Sequence, residues 1–295
     1  MQGLGWRTVL AGVWVALLSG CSMMETKPPP PPAKVALVLG GGAARGFAHV
    51  GVIKALEAQG IIPDLIVGTS AGAVVGALYA NGGSGFDLQQ ISLGMNDRQV
   101  VGWAWPNRGV LDGEVLQSFI NQSVGHRLIE NMARPLAVVA TDLKSGEPIV
   151  FRAGNTGLAV RASAAVPGVF QPVAIGGREY VDGGLVSPIP VSIARKLGAT
   201  FVIAVDISSR PADGAVDSTF DILMQTFTIM GKTIGQYETA EADVVIRPVT
   251  TGLPATDLSG RHHAILEGEK AAALAMPELK GKLQRLRGPV VAARN

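Results

Sequence analysis

Twice near its start the chain runs from an unbroken apolar stretch through glycine straight into a helical pattern. The first instance is "KVALVLGGGAARGFAHVGVIKALEAQG" from Lys34, the second "PDLIVGTSAGAVVGALYANG" from Pro63. A strand that is apolar at successive positions expects burial on both faces, and a helix directly after it carries the chain back over the sheet. In the first helix Phe47, Val50, Ile53 and Leu56 recur on one face, which is predicted to face the core. The second helix is predicted to stop at Asn81-Gly82-Gly83. Further on, "TFVIAVDI" and "ADVVIRPV" read as two more buried strands, with a long helical segment from about Phe220 to Glu241 between them. "RPLAVVATDL" and "EPIVFRAG" read as strands joined by a hairpin turn at "KSG", and "LDGEVLQSFINQSV" as a helix with Asp112 as its N-cap. The stretch from His262 to Leu286 is helical in pattern, with Pro277 expected to interrupt it. Strand and helix alternating in this way specify an α/β fold, with a mainly parallel sheet and helices on both faces. With 47% hydrophobic and 16% charged residues, 295 residues suffice for one large domain with such a core.

The first thirty-odd residues read differently. "MQGLGWRTVLAGVWVALLSGC" has Arg7 near its start, an apolar run from Val9 to Leu18, then Ser19 and Gly20, the form of a secretory signal over 1–20. "LLSGC" resembles the lipobox of bacterial lipoproteins, which implies cleavage before Cys21 and lipid on that cysteine. An ordinary signal peptide or an uncleaved anchor is the other reading. Cys21 is the only cysteine, so no disulfide forms within the chain. Ser22 after it implies, by the lipoprotein sorting rule, an outer-membrane anchor facing the periplasm of a bacterial cell envelope. Five prolines in "TKPPPPPAK" then make residues 21–33 a polyproline II spacer, which leaves 34–295 as the folded domain. A net charge of +2 offers nucleic acid no basic footprint, and no CxxC or HExxH spacing marks a metal site.

Three constellations carry chemistry. In "VLGGGAARG" three glycines let backbone amides converge at a helix start, where positive potential favours an anion. From Gly40 the GxGxxG pattern fails at Arg45, and from Gly41 a P-loop fails at Phe47, which leaves an oxyanion pocket or a plain packing turn. In "VGTSAG" a strand, then Gly68-Thr69-Ser70-Ala71-Gly72, then a helix is the setting of a nucleophile elbow, with the two glycines clearing space around Ser70. In "YVDGGLVSPIP" Asp182 ends an apolar stretch and is followed by Gly183 and Gly184, which suits a rigidly held carboxylate and equally a turn cap. His262-His263 would complete a Ser-Asp-His order, but nothing in "SGRHHAILEGE" marks either as a positioned base. His49, one turn into the first helix, reads as a packing or supporting residue.

Together these stretches resemble the patatin-like phospholipase family, closest to its bacterial esterase-type members. The glycine loop with Arg45, the GTSAG elbow and the Asp182-Gly183-Gly184 turn occur in the family order, and "ATDLKSGEPIVF" and "RASAAVPGVFQPV" also match. The resemblance spans Val35 to about Val249 and implies a patatin-like three-layer sandwich. It implies Ser70 as nucleophile and Asp182 as its base, without histidine. It also implies an oxyanion hole from the amides of Gly41, Gly42 and Ala43, with Arg45 in support. Ala43 stands where many relatives have a fourth glycine.

The expected reaction is hydrolysis of an acyl ester through an acyl-serine, with no cofactor or metal. Apolar flanks around Asp182 would raise its basicity. A lipid-anchored hydrolase meets its substrate at a membrane, so phospholipid or lysophospholipid is the expected partner. A general carboxylesterase or thioesterase, or a membrane-tethered regulatory protein, are the alternatives. The basic run "KGKLQRLRG" reads as a solvated face, and Trp103 and Trp105 as a lid, an interfacial contact or core. Oligomeric state is open.

Overall fold

The computed structural model describes residues 33–95, 113–209, 211, 216–250 and 260–287. The signal and spacer segments with Cys21, the Trp103–Trp105 stretch and Asp112 lie outside these residues. Among them no helix is long and apolar enough to cross a membrane.

The chain opens with β1 (Val35–Leu39), a short 3-10 turn at Ala43–Gly46 and α1 (Phe47–Glu57). β2 (Leu65–Thr69) and α2 (Ala71–Ala80) repeat the unit, and α3 (Gly85–Gly94) follows. Then come α4 (Glu114–Ser123), β3 (Leu136–Asp142), β4 (Pro148–Phe151) and α5 (Thr156–Ser163). The second half holds β5 (Val173–Ile175), β6 (Arg178–Asp182), α6 (Val191–Lys196), β7 (Phe201–Val205), α7 (Thr219–Ala240), β8 (Val244–Ile246) and α8 (Arg261–Arg287). Strands β8, β7, β1, β2 and β3 are neighbours in that order and parallel, while β4, β5 and β6 add an antiparallel end.

Alternation along the parallel strands divides the core as expected for a doubly covered sheet. Leu37, Leu39, Ile66, Phe201 and Ile203 pack with α1, α2 and α8 on one face. Ala36, Val38, Val67, Val202 and Ala204 meet Ile189, Val191 and Ile193 on the other. The four α1 positions singled out by periodicity, Phe47, Val50, Ile53 and Leu56, are all buried. α8 departs from expectation by running unbroken through Pro277. Proline removes one helix hydrogen bond at a cost of about 3 kcal/mol. Ala272, Met276, Leu279 and Leu283 of α8 are buried in the large core, and that burial outweighs the loss. Contact between α1 and α8 is close enough that a Cβ on Gly51 would sit 1.9 Å from the Ile265 carbonyl, and one on Gly268 2.0 Å from that of Ala48. In the basic run, Lys280 bonds Gln59 and Lys282 bonds the Asp243 carbonyl and Glu278, which is structural use of an outer face.

One feature of strand pairing positions the site. Residues Val138 to Thr141 of β3 pair with β4 along one edge. β2 and β6 therefore share the opposite edge, β2 alongside Leu136–Val139 and β6 alongside Ala140–Asp142. They run toward each other, so that Thr69 faces Val139 and Asp182 faces the next residue, Ala140. The ends of two strands distant in sequence thus meet head to head.

Candidate active site

Ser70 follows β2 directly, with φ 54° and ψ −118°, a conformation that non-glycine residues rarely hold. Two things hold it there. Its N–H donates to Ser163 Oγ at 2.8 Å, and that hydroxyl donates onward to the Val139 carbonyl at 2.5 Å. Its carbonyl accepts from the amides of Ala73 and Val74, starting α2. The turn is so tight that a Cβ on Gly72 would lie 1.9 Å from the Leu39 carbonyl oxygen, and one on Gly68 2.5 Å from that of Gly72. Only glycine fits at either position.

Asp182 ends β6 and is 6% exposed. Its N–H donates to the Ala165 carbonyl at 2.9 Å, and its own carbonyl accepts from Thr141 Oγ1 at 2.8 Å. Oδ1 accepts the Gly184 amide at 2.7 Å, while Oδ2 is buried with no hydrogen-bond partner among the described residues. Gly183 is required because a Cβ there would sit 2.3 Å from the Val139 carbonyl. Burial raises the Asp182 pKa from 3.8 to about 6, against the lowering effect of the Ser70 hydroxyl and the Gly184 amide. The Ser70 hydroxyl lies near enough to exert that effect without the alignment of a formed hydrogen bond. Such contacts commonly tighten only once substrate is bound.

The glycine loop divides into anchored and open amides. The Gly40 amide donates to the Val205 carbonyl at 3.1 Å and the Gly41 amide to that of Pro188 at 2.9 Å. The expectation that Gly41 contributes an oxyanion donor is corrected: its N–H fastens the loop, and its missing side chain makes room, since a Cβ would lie 3.4 Å from that of Ser70. Gly42 and Ala43 have amides without an acceptor among the described residues. A Cβ on Gly42 would overlap Ile207, at 2.7 Å from Cδ1. Ala43 adopts φ 51°, so the alanine at the expected glycine position sits in the left-handed region at a cost of roughly 1 kcal/mol. Arg45, 9% exposed, donates from Nε to the Gly42 carbonyl at 3.1 Å and so turns that peptide. His49 is fully buried, and its Nε2 lies 2.8 Å from the Gly40 carbonyl. Burial lowers its pKa to about 4, so it is a neutral Nε2–H donor that props the loop.

Gly42, Ala43, Ser70 and Asp182 all line one cavity of about 240 Å³, whose remaining wall includes Val166, Phe170, Met224 and Phe227. The described residues lining it include no histidine. His262 and His263 are exposed at the start of α8 and take no part in it. No group of three or more His, Cys, Asp or Glu residues able to hold a metal occurs among the described residues.

Several supporting residues carry no signal of their role in the sequence. Ser163 was visible only as part of "RASAAVPGVFQPV", with no signal for what it holds. Thr69 Oγ1 donates to the Ser187 carbonyl at 2.8 Å. Glu238, near the end of α7, accepts from the Ser187 hydroxyl and, at 2.8 Å, from the Ile189 amide. Between those two residues lies Pro188, whose carbonyl anchors Gly41. Burial raises the Glu238 pKa to about 7.

The family model described as "Patatin-like phospholipase" matches residues 37–195, more than half of the chain, a span that includes the glycine loop, Ser70 and Asp182. The chain belongs to the patatin-like phospholipase family. An uncharacterized NTE family protein of Mycobacterium bovis is 36% identical over 186 residues, which are 62% of this chain and 51% of that protein. The human patatin-like phospholipase domain-containing protein 6 is 36% identical over 183 residues, 59% of this chain and 13% of the relative. The chain therefore spans about half the length of the mycobacterial relative it matches. Among solved structures, VipD from Legionella pneumophila is 13% identical with a TM-score of 0.51, covering 86% of this chain and 68% of VipD, a likeness of fold. The patatin-like fold thus sets the glycine loop, the elbow and the Asp-Gly-Gly turn around one cavity.

Proposed function

We propose that this patatin-like chain is a serine acyl hydrolase that cleaves acyl esters of phospholipids or lysophospholipids with a Ser70–Asp182 dyad. The observation that supports it best is the meeting of Ser70, Asp182 and two unengaged amides in one cavity with apolar walls. Asp182, ionised above about pH 6, takes the Ser70 proton as Oγ attacks the ester carbonyl. The amides of Gly42 and Ala43 receive the oxyanion, with Arg45 fixing the Gly42 peptide. Collapse breaks the ester bond, and the leaving alcohol takes the proton from Asp182. Water, deprotonated by the same carboxylate, then hydrolyses the acyl-serine and releases the fatty acid. The lipobox-like sequence before Cys21 supports a second element of this reading, a lipid-anchored protein of the bacterial envelope, on the outer membrane facing the periplasm.

Fatty-acid release from mixed phospholipid and lysophospholipid vesicles by wild type, Ser70→Ala and Asp182→Asn tests the activity. Release that both substitutions abolish is expected. No release by folded wild type, together with no labelling of Ser70 by a fluorophosphonate probe, would leave a tethered binding protein instead. Metabolic labelling with palmitate, present in the full chain and lost in Cys21→Ser, tests the anchor.

A further inference from the structure

A second cavity, of about 440 Å³, adjoins the one that holds Ser70, and Arg45, Ser208, Ser209 and Lys232 line both. The two differ in chemistry. Where the first has Val166, Phe170, Met224 and Phe227, the second has Gln236, Thr239, Asp206 and Arg247. Among the described residues lining it, Lys232 and Arg247 are cations and Asp206 is the one carboxylate, while Arg45 belongs to the wall shared with the first cavity. That carboxylate is already committed: Asp206 Oδ2 accepts from Arg247 Nε at 3.2 Å, and Oδ1 accepts the Ser208 amide at 3.0 Å and the Ser208 hydroxyl. Lys232 is exposed and has no acidic partner among the described residues. Among the described residues Lys232 thus adds a positive charge that Asp206, already engaged by Arg247, does not offset, and hydroxyl donors lie beside it, which suits a phosphate better than an acyl chain or a cation.

We propose that this second cavity is a phosphate subsite, with Lys232 and Arg247 recognising the phosphodiester of a lipid whose acyl ester lies at Ser70. The inference rests on the lipid hydrolase reading and adds which half of the substrate lies on which side. In a phospholipid the short glycerol backbone separates ester from phosphate, so an apolar and a cationic compartment must share a wall. Arg45 and Lys232 are that wall. A neutral glyceride would fill the apolar cavity and leave the cations with water alone.

Binding to the full chain carrying Ser70→Ala tests this without turnover. Calorimetry compares a short-chain phosphatidylmethanol, whose headgroup is a phosphodiester with no cation, with the diacylglycerol of the same acyl chains, both below their aggregation limits. The phospholipid is expected to bind about tenfold more tightly, the contribution of one charge-assisted contact. Lys232→Ala or Arg247→Ala on that background should erase the preference, and Lys232→Arg should keep it. Inorganic phosphate that competes with the phospholipid would show that the subsite takes phosphate from either source. Failure to compete, with the lipid preference intact, would assign it to the lipid headgroup. Equal binding of the two lipids, or a preference that survives both alanine substitutions, would overturn the subsite. Hydrolysis by the wild-type protein is measured separately, so loss of the subsite and loss of the hydrolase reading remain distinct results.

Discussion

The two walls of the Ser70 cavity are built on opposite terms. The sheet-borne wall carries Ser70, Asp182 and the glycine loop, all supported from below by the strand ends of the central sheet. There the backbone around the reacting groups is fixed: the Ser70 amide by Ser163, the Asp182 carbonyl by Thr141, the loop by Val205 and Pro188. The opposing wall is α7, twenty-two residues long, of which only Gly235 and Thr239 are buried. Ile222, Ile229 and Met230 on that helix are each at least half exposed. Near its C-terminal end Gly235 lies against Ile189 and Glu238 bonds the Ser187–Ile189 turn, and in its first half Gln225 donates to the Pro211 carbonyl while Met224 packs on the cluster around Phe170. Bond-breaking chemistry needs donors and acceptors held to fractions of an ångström, whereas an acyl chain needs only apolar surface. In the proposed mechanism the bond-breaking groups thus lie on the more tightly hydrogen-bonded wall, and the acyl chain lies against the more exposed helix.

That contrast predicts a graded series of effects. The largest is at Asp182. Asp182→Asn should lower ester hydrolysis by about 10³-fold or more, since the remaining amide cannot accept the serine proton. The same change should raise stability. An acid whose native pKa is raised holds its proton more firmly when folded, so stability falls as pH climbs from 3.8 to about 6 and stays lowered above. Denaturant melts at pH 8 should show a gain of up to about 3 kcal/mol, and a loss instead would show that the sheet wall needs this charge for folding.

Next comes the loop. Gly42→Ala pushes a methyl into Ile207 and should displace its amide, costing ~10²–10³ in kcat, as removal of an oxyanion donor does. Unchanged kcat would place the oxyanion elsewhere. At pH 5, where Asp182 is mostly protonated, kcat/KM on a soluble ester should be about tenfold below its value at pH 8. A flat profile would contradict its role as base. Glu238→Ala, at the tether between the walls, leaves the Ser187 hydroxyl and Ile189 amide without their acceptor and should lower kcat by roughly tenfold, while Glu238→Gln retains an acceptor and most of the rate. The smallest effect is expected on the outer face of α7. Ile229→Thr should change stability by less than about 0.5 kcal/mol, because the side chain is half exposed. A larger loss would mean that this helix face is covered by something the described residues do not include.

Much of the site is legible because it is local. Each motif is a strand end, a glycine and a helix start, and the requirement for glycine at 68, 72, 42 and 183 follows from how closely a backbone must pass. The role of the Gly41 amide is not legible, for the opposite reason. Nothing near it in sequence indicates that the Pro188 carbonyl, far along the chain, will claim its proton. Ser163 and Glu238 escaped notice on the same grounds, as did the persistence of α8 through Pro277, which depends on what that helix packs against.

By itself, then, the sequence determined the α/β alternation, the covered parallel sheet and the three short segments with chemistry in them, since periodicity and glycine placement act over a few residues. Only the tertiary structure decided that Ser70 and Asp182 meet. They are joined because β2 and β6 end against consecutive residues of one edge of β3, a pairing between segments over a hundred residues apart. Strand register is set by long-range hydrogen bonding and two-sided burial, and no local pattern encodes it.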